Sequence, residues 1–144
     1  MVNPNSTTIF TNDSPTLQRT LYQQSSMPQG TASLGRNREV ILLIRGLPER
    51  LMLNDDTEFV LGRFNMSSHL DSEVDLSPYG ANDRGVSRNH ARLQMKDNSL
   101  YITDLGSTNG TFVAGERLNP NQPTLLHKGD EVLLGRLQVQ ILFR

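Results

Sequence analysis

Three short polar segments hold the residues of this chain that are best suited to chemistry. They are Gly62-Arg63, Ser87-Arg88-Asn89-His90 and Gly106-Ser107-Thr108-Asn109-Gly110. Together they provide guanidinium, hydroxyl and amide groups, and their glycines free backbone N–H groups to face a ligand. Such donors suit a compact dianion like a phosphoryl group, whereas no nucleophile stands beside an obvious base. The segments therefore indicate phosphate recognition before catalysis.

Catalysis by the same residues is the alternative, because Ser87, His90 and Asp104 could be drawn as a triad. Ser87 lies in no nucleophile-elbow pattern, however. A serine and a histidine three residues apart in a loop rarely meet in the required geometry. No Walker-type glycine-rich loop with lysine is present either. We therefore predict that the chain is not an enzyme.

Short apolar runs flank the three segments and predict strands joined by turns. The clearest run ends the chain, where Leu137, Val139, Ile141 and Phe143 alternate with residues of the opposite face, as in a half-buried strand. The predicted strands are residues 40–44, 50–54, 57–63, 74–76, 90–96, 100–104, 111–113, 116–118, 124–126, 131–134 and 137–143. A turn is expected at Gly46-Leu47-Pro48. Many short strands with scarce helical periodicity predict a sandwich or barrel.

Composition excludes several classes of function. The 144 residues carry a net charge of −1, which argues against a nucleic-acid partner because such proteins need a basic face. No run of about 18 apolar residues predicts a membrane span, and no secretory signal is visible, so a cytoplasmic location is expected. The chain has no cysteine, and its three histidines lack metal-ligand spacing. We expect no metal and no cofactor.

Residues 1–35 differ in amino-acid composition from the remainder of the chain. They are rich in Ser, Thr, Asn, Gln and Pro and poor in large apolar side chains. Such a segment cannot bury enough surface to offset the entropy of ordering it. We predict a disordered N-terminal tail, followed by one domain over residues 36–144.

The polar segments and their surroundings resemble the forkhead-associated (FHA) domain. GVSRNHARL (residues 85–93), DLGSTNGTFV (residues 104–113) and KGDEVLLG (residues 128–135) all look like FHA sequences, in the family's order. The resemblance covers roughly residues 36–144. It implies an all-β fold, an antiparallel β-sandwich of the FHA (SMAD/FHA-like) type, and the recognition of phosphothreonine in proteins or peptides downstream of a Ser/Thr protein kinase.

The resemblance also implies roles for individual residues. Phosphopeptide binding falls to Arg63, Ser87, Arg88, Thr108 and Asn109. In this scheme Ser87 contacts the phosphate, Thr108 holds the peptide nearby, and the Asn109 amide bonds the ligand backbone. Support of the binding loops falls to Gly62, His90 and Gly110. The alternative function is a phosphate-independent interaction scaffold or dimerisation module on the same fold.

The tail itself offers a candidate ligand. FHA sites commonly recognise the residue three positions after the phosphothreonine, which is Phe10 for Thr7 and Thr11 for Thr8. Some small bacterial FHA regulators bind a phosphorylated threonine pair in their own tails, and this tail is similar in kind. We expect Thr7 or Thr8 to be phosphorylated and then bound by the domain, which makes the tail a possible partner.

The stretch from Phe64 to Arg84 is longer than a minimal FHA domain needs. It carries four acidic residues, Asp71, Glu73, Asp75 and Asp83. If these side chains border the ligand groove, they favour basic residues beside the phosphothreonine.

Overall fold

The computed structural model describes residues 38–55, 57–64 and 71–143. Within these ranges the chain forms eleven strands and one short 3-10 helix, Ser77–Tyr79. The strands are β1 (Glu39–Ile44), β2 (Leu47–Met52), β3 (Glu58–Gly62), β4 (Glu73–Asp75), β5 (Ala91–Lys96), β6 (Ser99–Asp104), β7 (Thr111–Val113), β8 (Glu116–Arg117), β9 (Thr124–Leu125), β10 (Glu131–Leu134) and β11 (Leu137–Phe143). The prediction of an all-β sandwich is confirmed.

The strands assemble into two sheets. The first has the order β2-β1-β11-β10-β7-β8, and the second has the order β4-β3-β5-β6-β9. Neighbouring strands pair antiparallel, except that β4 runs parallel to β3, with Leu61 opposite Val74. Two consecutive strands can pair in parallel only when the connection between them is long enough to reach back to the end where the first strand begins, and ten residues separate β3 from β4.

Alternation along the strands builds the core between the sheets. On β11 the odd-numbered residues are buried, whereas Gln138 is exposed. On β5 the buried residues are Ala91, Leu93 and Met95. Both sheets contribute their inner faces to one apolar cluster, which includes Leu42, Leu100 and Ile102 without measurable exposure. Burial of these side chains is the main driving force for this fold.

The turn after β1 differs from the expectation of Gly46-Leu47-Pro48. Arg45 and Gly46 alone make it, both with positive φ, and β2 already begins at Leu47. Two-residue hairpin turns with this backbone match the twist of the strands that they join. Pro48 therefore lies within a strand. It is tolerated there because β2 is an edge strand, where a missing N–H can face outward.

The predicted tail, residues 1–35, lies outside the described residues, as do Thr7 and Thr8. The domain boundary at residue 36 stays a prediction. Within the described ranges no helix is long and apolar enough to cross a membrane.

Candidate functional site

The order of strands in the second sheet brings the three polar segments together. Leu61 at the end of β3 pairs with Ala91 at the start of β5, and Ala91 pairs with Asp104 at the end of β6. The connections at this end are the serine loop, residues 85–90, and the asparagine loop, residues 105–110. We call this end of the sandwich the loop end. All predicted binding residues lie there.

Arg63 follows β3 and is fixed to the serine loop through its backbone and its side chain. Its N–H is shared between the carbonyl oxygens of Ser87 at 3.2 Å and Arg88 at 3.1 Å. Its Nε donates to the Val86 carbonyl. The Nη1 and Nη2 groups make no hydrogen bond to a described residue, and the side chain is half-buried. The guanidinium is thus held at one nitrogen with its terminal fork free for an anion.

Ser87 and the asparagine loop bond directly to each other. The Thr108 N–H donates to Ser87 Oγ at 3.1 Å, so the hydroxyl keeps its own proton to donate elsewhere. Asn109 Nδ2 donates to the Gly85 carbonyl at 2.9 Å. Part of the Asn109 amide therefore bonds within the protein, although the residue as a whole is exposed. Arg88 and the Thr108 side chain are exposed beside these contacts.

His90 is fully buried and joins the two loops. The Ser87 N–H donates to His90 Nδ1 at 2.9 Å, so Nδ1 carries no proton and Nε2–H donates to the Gly110 carbonyl at 2.9 Å. Burial lowers the pKa of His90 below its usual value, against the opposite effects of the Gly110 bond and the Asp104 charge. Because backbone groups occupy both ring nitrogens, His90 cannot act as the base for the Ser87 hydroxyl.

Asp104 is the residue of this site whose role the sequence analysis missed. Its Oδ1 accepts from the hydroxyls of Ser107 at 2.5 Å and Thr111 at 2.7 Å. Its Oδ2 accepts from the N–H groups of Gly106 at 3.0 Å and Ser107 at 3.2 Å. Burial raises the pKa of Asp104, but these hydrogen bonds outweigh it and hold the pKa below its usual value. A charged carboxylate thereby shapes the asparagine loop.

The acidic residues between Phe64 and Arg84 occupy different places. Asp75 ends β4 opposite Gly62, and so it lies at the loop end beside the Gly-Arg pair. Asp75 Oδ1 accepts from the Phe64 N–H, the Ser77 N–H and the Ser77 hydroxyl, and so fixes the chain after β4. Asp71, Glu73 and Asp75 line a groove with residues of β2, and none of the predicted binding residues lines it. Asp83 lies two residues before the serine loop in the chain.

A metal centre would need several ligands close together. Within the ranges that the structure describes, no three His, Asp or Glu side chains lie close enough to hold a metal ion. The loop end instead combines the terminal nitrogens of Arg63, which bond to no described residue, with the Ser87 hydroxyl. This arrangement can bind an anion without covalent chemistry.

Comparisons with known proteins agree with this geometry. The family model of the FHA domain matches residues 59–135. The oxoglutarate dehydrogenase inhibitor of Corynebacterium jeikeium (strain K411) is 30% identical over 122 residues, which are 83% of this chain and 75% of that protein. The glycogen accumulation regulator GarA of Mycobacterium tuberculosis (strain ATCC 25618 / H37Rv) is 34% identical over 91 residues, 62% of this chain and 51% of GarA.

A solved structure shares the fold. It comes from a structural and functional study of phosphothreonine-dependent FHA domain interactions, with 26% identity and a TM-score of 0.56, and covers 74% of this chain and 97% of that one. The chain spans about half the length of GarA. The matched residues contain every strand from β4 to β10 and all three polar segments. This chain belongs to the FHA domain family.

Proposed function

We propose that this chain is a non-enzymatic module that binds phosphothreonine in a partner protein or peptide. The observation that carries the proposal is the placement of Arg63, whose Nε is anchored on Val86 while its terminal nitrogens bond to no described residue. A guanidinium held this way can bind two phosphate oxygens at once. The Ser87 hydroxyl proton and exposed Arg88 lie on the same loop and supply further donors.

Membership in the FHA family supports the identity of the ligand. The structure described above was solved in a study of phosphothreonine-dependent interactions of FHA domains. Phosphothreonine is made by Ser/Thr protein kinases, so the proposed partner lies downstream of such a kinase. The exposure of Thr108 and Asn109 beside Ser87 supports a role of the asparagine loop in holding the peptide.

Replacing Arg63 tests the proposal. We expect a degenerate phosphothreonine peptide library to bind the full chain with a Kd in the micromolar range, about −8 kcal/mol. Arg63→Ala should weaken binding about 100-fold or more, since two charge-assisted hydrogen bonds of roughly 1.5–3 kcal/mol each are lost. Arg63→Lys should recover only part of the affinity, because an ammonium cannot bind two oxygens in the same fork. Fluorescence anisotropy measures all three.

The controls separate loss of phosphate contact from loss of folding. Arg92→Ala removes a half-buried arginine of β5 that pairs with Glu58, and it should leave affinity unchanged. Thermal melts should show that the Arg63 variants stay folded at the assay temperature. Equal binding of unphosphorylated peptides, or wild-type affinity in Arg63→Ala, would instead favour the phosphate-independent scaffold.

We further propose that phosphorylation of Thr7 or Thr8 makes the tail an internal ligand that blocks outside partners. Both threonines lie outside the described residues, and their sequence context supports the idea. About 26 residues separate Phe10 from Arg36, and a flexible chain of that length spans on the order of 25–30 Å. Its effective concentration at the loop end would approach the millimolar range.

Kinase treatment of the full chain tests this regulation. We expect phosphopeptide affinity to fall about tenfold or more after treatment, because an internal ligand at near-millimolar concentration competes with the peptide. A variant with both Thr7→Val and Thr8→Val should keep its affinity through the same treatment. The idea fails if the treated wild type, the untreated wild type and the treated variant bind equally.

A further inference from the structure

Three arginines from distant parts of the sequence converge on residues 79–85, which we call the connecting loop. Arg45 Nη1 lies 3.4 Å from the Tyr79 carbonyl oxygen. Arg136 Nη2 donates to the Asp83 carbonyl at 2.7 Å. Arg84 belongs to the loop and turns its Nη1 back towards Gly80. We call Arg45, Arg84 and Arg136 the arginine cluster.

The cluster brings like charges close together. The position that a β-carbon would take at Gly80 is 2.7 Å from Arg84 Nη1 and 3.3 Å from Arg45 Nη1. Among the described residues, the ion pairs involve other cations, so no carboxylate lies within ion-pair distance of these three guanidiniums. Two guanidiniums at such separation repel each other, and an anion between them would remove the repulsion.

Asp83 is the acidic residue nearest to the cluster in sequence. Its side chain is exposed, and its contact with Arg136 runs through the backbone carbonyl. A second carboxylate is near, because Glu49 Oε1 accepts from the Tyr79 hydroxyl at 2.8 Å. Two carboxylates do not balance three guanidiniums, so the surface that they form together carries net positive charge, although the whole chain has a net charge of −1.

The cluster adjoins the proposed phosphothreonine site. The Arg136 N–H donates to the Arg84 carbonyl at 2.8 Å, which ties the β10–β11 turn to the connecting loop. The position of a β-carbon at Gly85 is 2.5 Å from Asn109 Nδ2 and 3.7 Å from Arg136 Nη1. The arginine cluster therefore lies directly beside Asn109 of the asparagine loop. A peptide held at Asn109 would extend over the cluster on one flank.

We propose that the arginine cluster binds a second anionic group on the same partner, either a carboxylate or another phosphoryl group. This inference rests on the proposed function, because it needs a phosphothreonine at Arg63 to place the flanking residues over the cluster. It reverses the expectation drawn from the acidic stretch after Phe64. The preferred partner carries acidic residues on one side of its phosphothreonine.

Peptides of matched length test the inference on the full chain. All carry one phosphothreonine, and the flanks are neutral, acidic on the N-terminal side, acidic on the C-terminal side, or bear a second phosphoserine on either side. We expect one acidic flank to bind about tenfold more tightly than the neutral peptide, a gain that more than one charge contact can supply. The phosphoserine arm shows which anion the cluster prefers.

A double variant, Arg84→Gln with Arg136→Gln, assigns that advantage to the cluster. It should bind the neutral peptide as the wild type does and bind the acidic peptide no more tightly. The matched control, Arg50→Gln with Lys96→Gln, removes the same charge from other surfaces and should keep the advantage. Arg45→Gln removes one member at the cost of only a long, exposed 3.4 Å contact with the Tyr79 carbonyl, and it should reduce the advantage even if the double variant folds poorly.

The outcomes distinguish the two proposals. Arg63-dependent binding of the neutral peptide with no gain from any acidic flank would overturn the second anion site and keep the proposed function. An advantage that survives in both the double variant and Arg45→Gln would also overturn it. Failure of every phosphothreonine peptide to bind would remove the proposed function, and this inference with it.

Discussion

Gly62→Ala is expected to destabilise the chain by about 3 kcal/mol or more, because the new methyl group has no space. A β-carbon at this position would lie 1.7 Å from the Arg88 carbonyl oxygen and 2.7 Å from its carbonyl carbon. The obstacle is backbone, so no side-chain rotation can relieve it. The glycine of the Gly-Arg pair is therefore required by the close approach of β3 to the serine loop.

Relief of that clash would also disturb the phosphate site. The Arg63 N–H bonds to the carbonyls of Ser87 and Arg88, and the His90 N–H bonds to the Leu61 carbonyl at 2.9 Å. Moving the serine loop outward lengthens these contacts together. We expect Gly62→Ala to lose most of its phosphopeptide affinity even at temperatures where it remains folded.

Gly115→Ala is the matched control for Gly62→Ala. Gly115 has φ +85 and nothing within 4 Å of its β-carbon position, so alanine there meets backbone strain without a clash and should cost about 1 kcal/mol. Thermal unfolding should show a decrease in Tm of about 10 °C for Gly62→Ala and a decrease of a few degrees for the control. A Tm loss at Gly62 no larger than at Gly115 would contradict the steric argument.

Much of the fold follows from local patterns that the sequence displays. The alternation in β11 and the short apolar runs predict strands whose limits lie within a few residues of the observed ones. The conformation of Arg45 cannot be predicted from such local patterns, because its positive φ is set by the hairpin that it closes and not by the preference of arginine. The start of β2 at Leu47 was missed for the same reason.

Some residues of the candidate site can likewise be predicted from the sequence, and others cannot. Arg63, Ser87 and Asn109 are visible because each ends or interrupts a strand in a polar segment of recognisable composition. The arginine cluster is not visible, since Arg45, Arg84 and Arg136 come from three separate connections and meet only through the sheet order. The acids after Phe64 are visible because they share one stretch of sequence, whereas the arginine cluster is built from distant loops.

The structural role of Asp104 was missed, although the sequence around it contains a local pattern that predicts that role. Aspartate followed by glycine and serine at the second and third positions is typical of a turn in which the carboxylate accepts backbone N–H groups. Asp104 accepts from both Gly106 and Ser107 in this way. That pattern in DLGSTNGT predicts a structural aspartate, whereas the triad hypothesis considered it only as a catalytic partner.

Asp104→Ala is expected to cost about 3–4 kcal/mol, because it removes four hydrogen bonds to a buried carboxylate and leaves two N–H groups without a partner. Ser107 Oγ also accepts from the Gly110 N–H at 3.0 Å. If the Ser107 hydroxyl is no longer oriented by Asp104, the end of the asparagine loop at Gly110 also loses a fixed contact. Thr108 and Asn109 would then lose their fixed positions. Chemical denaturation should report the stability, and phosphopeptide titration should show weaker binding.

Asp130→Ala is the matched control for Asp104→Ala. Asp130 is half-buried in the turn before β10, where its Oδ2 accepts one N–H, that of His127, at 2.7 Å. Removal of this bond, and of the 3.7 Å contact between Asp130 Oδ2 and His127 Nδ1, should cost about 1 kcal/mol and leave phosphopeptide binding unchanged. If Asp104→Ala is no more destabilising than Asp130→Ala, the carboxylate does not hold the asparagine loop.

The pH dependence of the stability tests whether the charge of Asp104 is the cause of its stabilising effect. Its pKa is lowered in the folded chain from the usual 3.8, so the unfolded chain takes up this proton first as the pH falls. The stabilisation is therefore fully present well above pH 3.8 and is lost as the pH falls through the lowered folded pKa.

Asp104→Asn keeps the shape of the side chain without its charge. Its stability deficit should be constant at neutral pH and should shrink below about pH 4, because there the unfolded wild type takes up a proton that the folded wild type binds only at lower pH. A deficit that stays constant down to pH 3 would mean that packing, and not the charged hydrogen bonds, accounts for the role of Asp104.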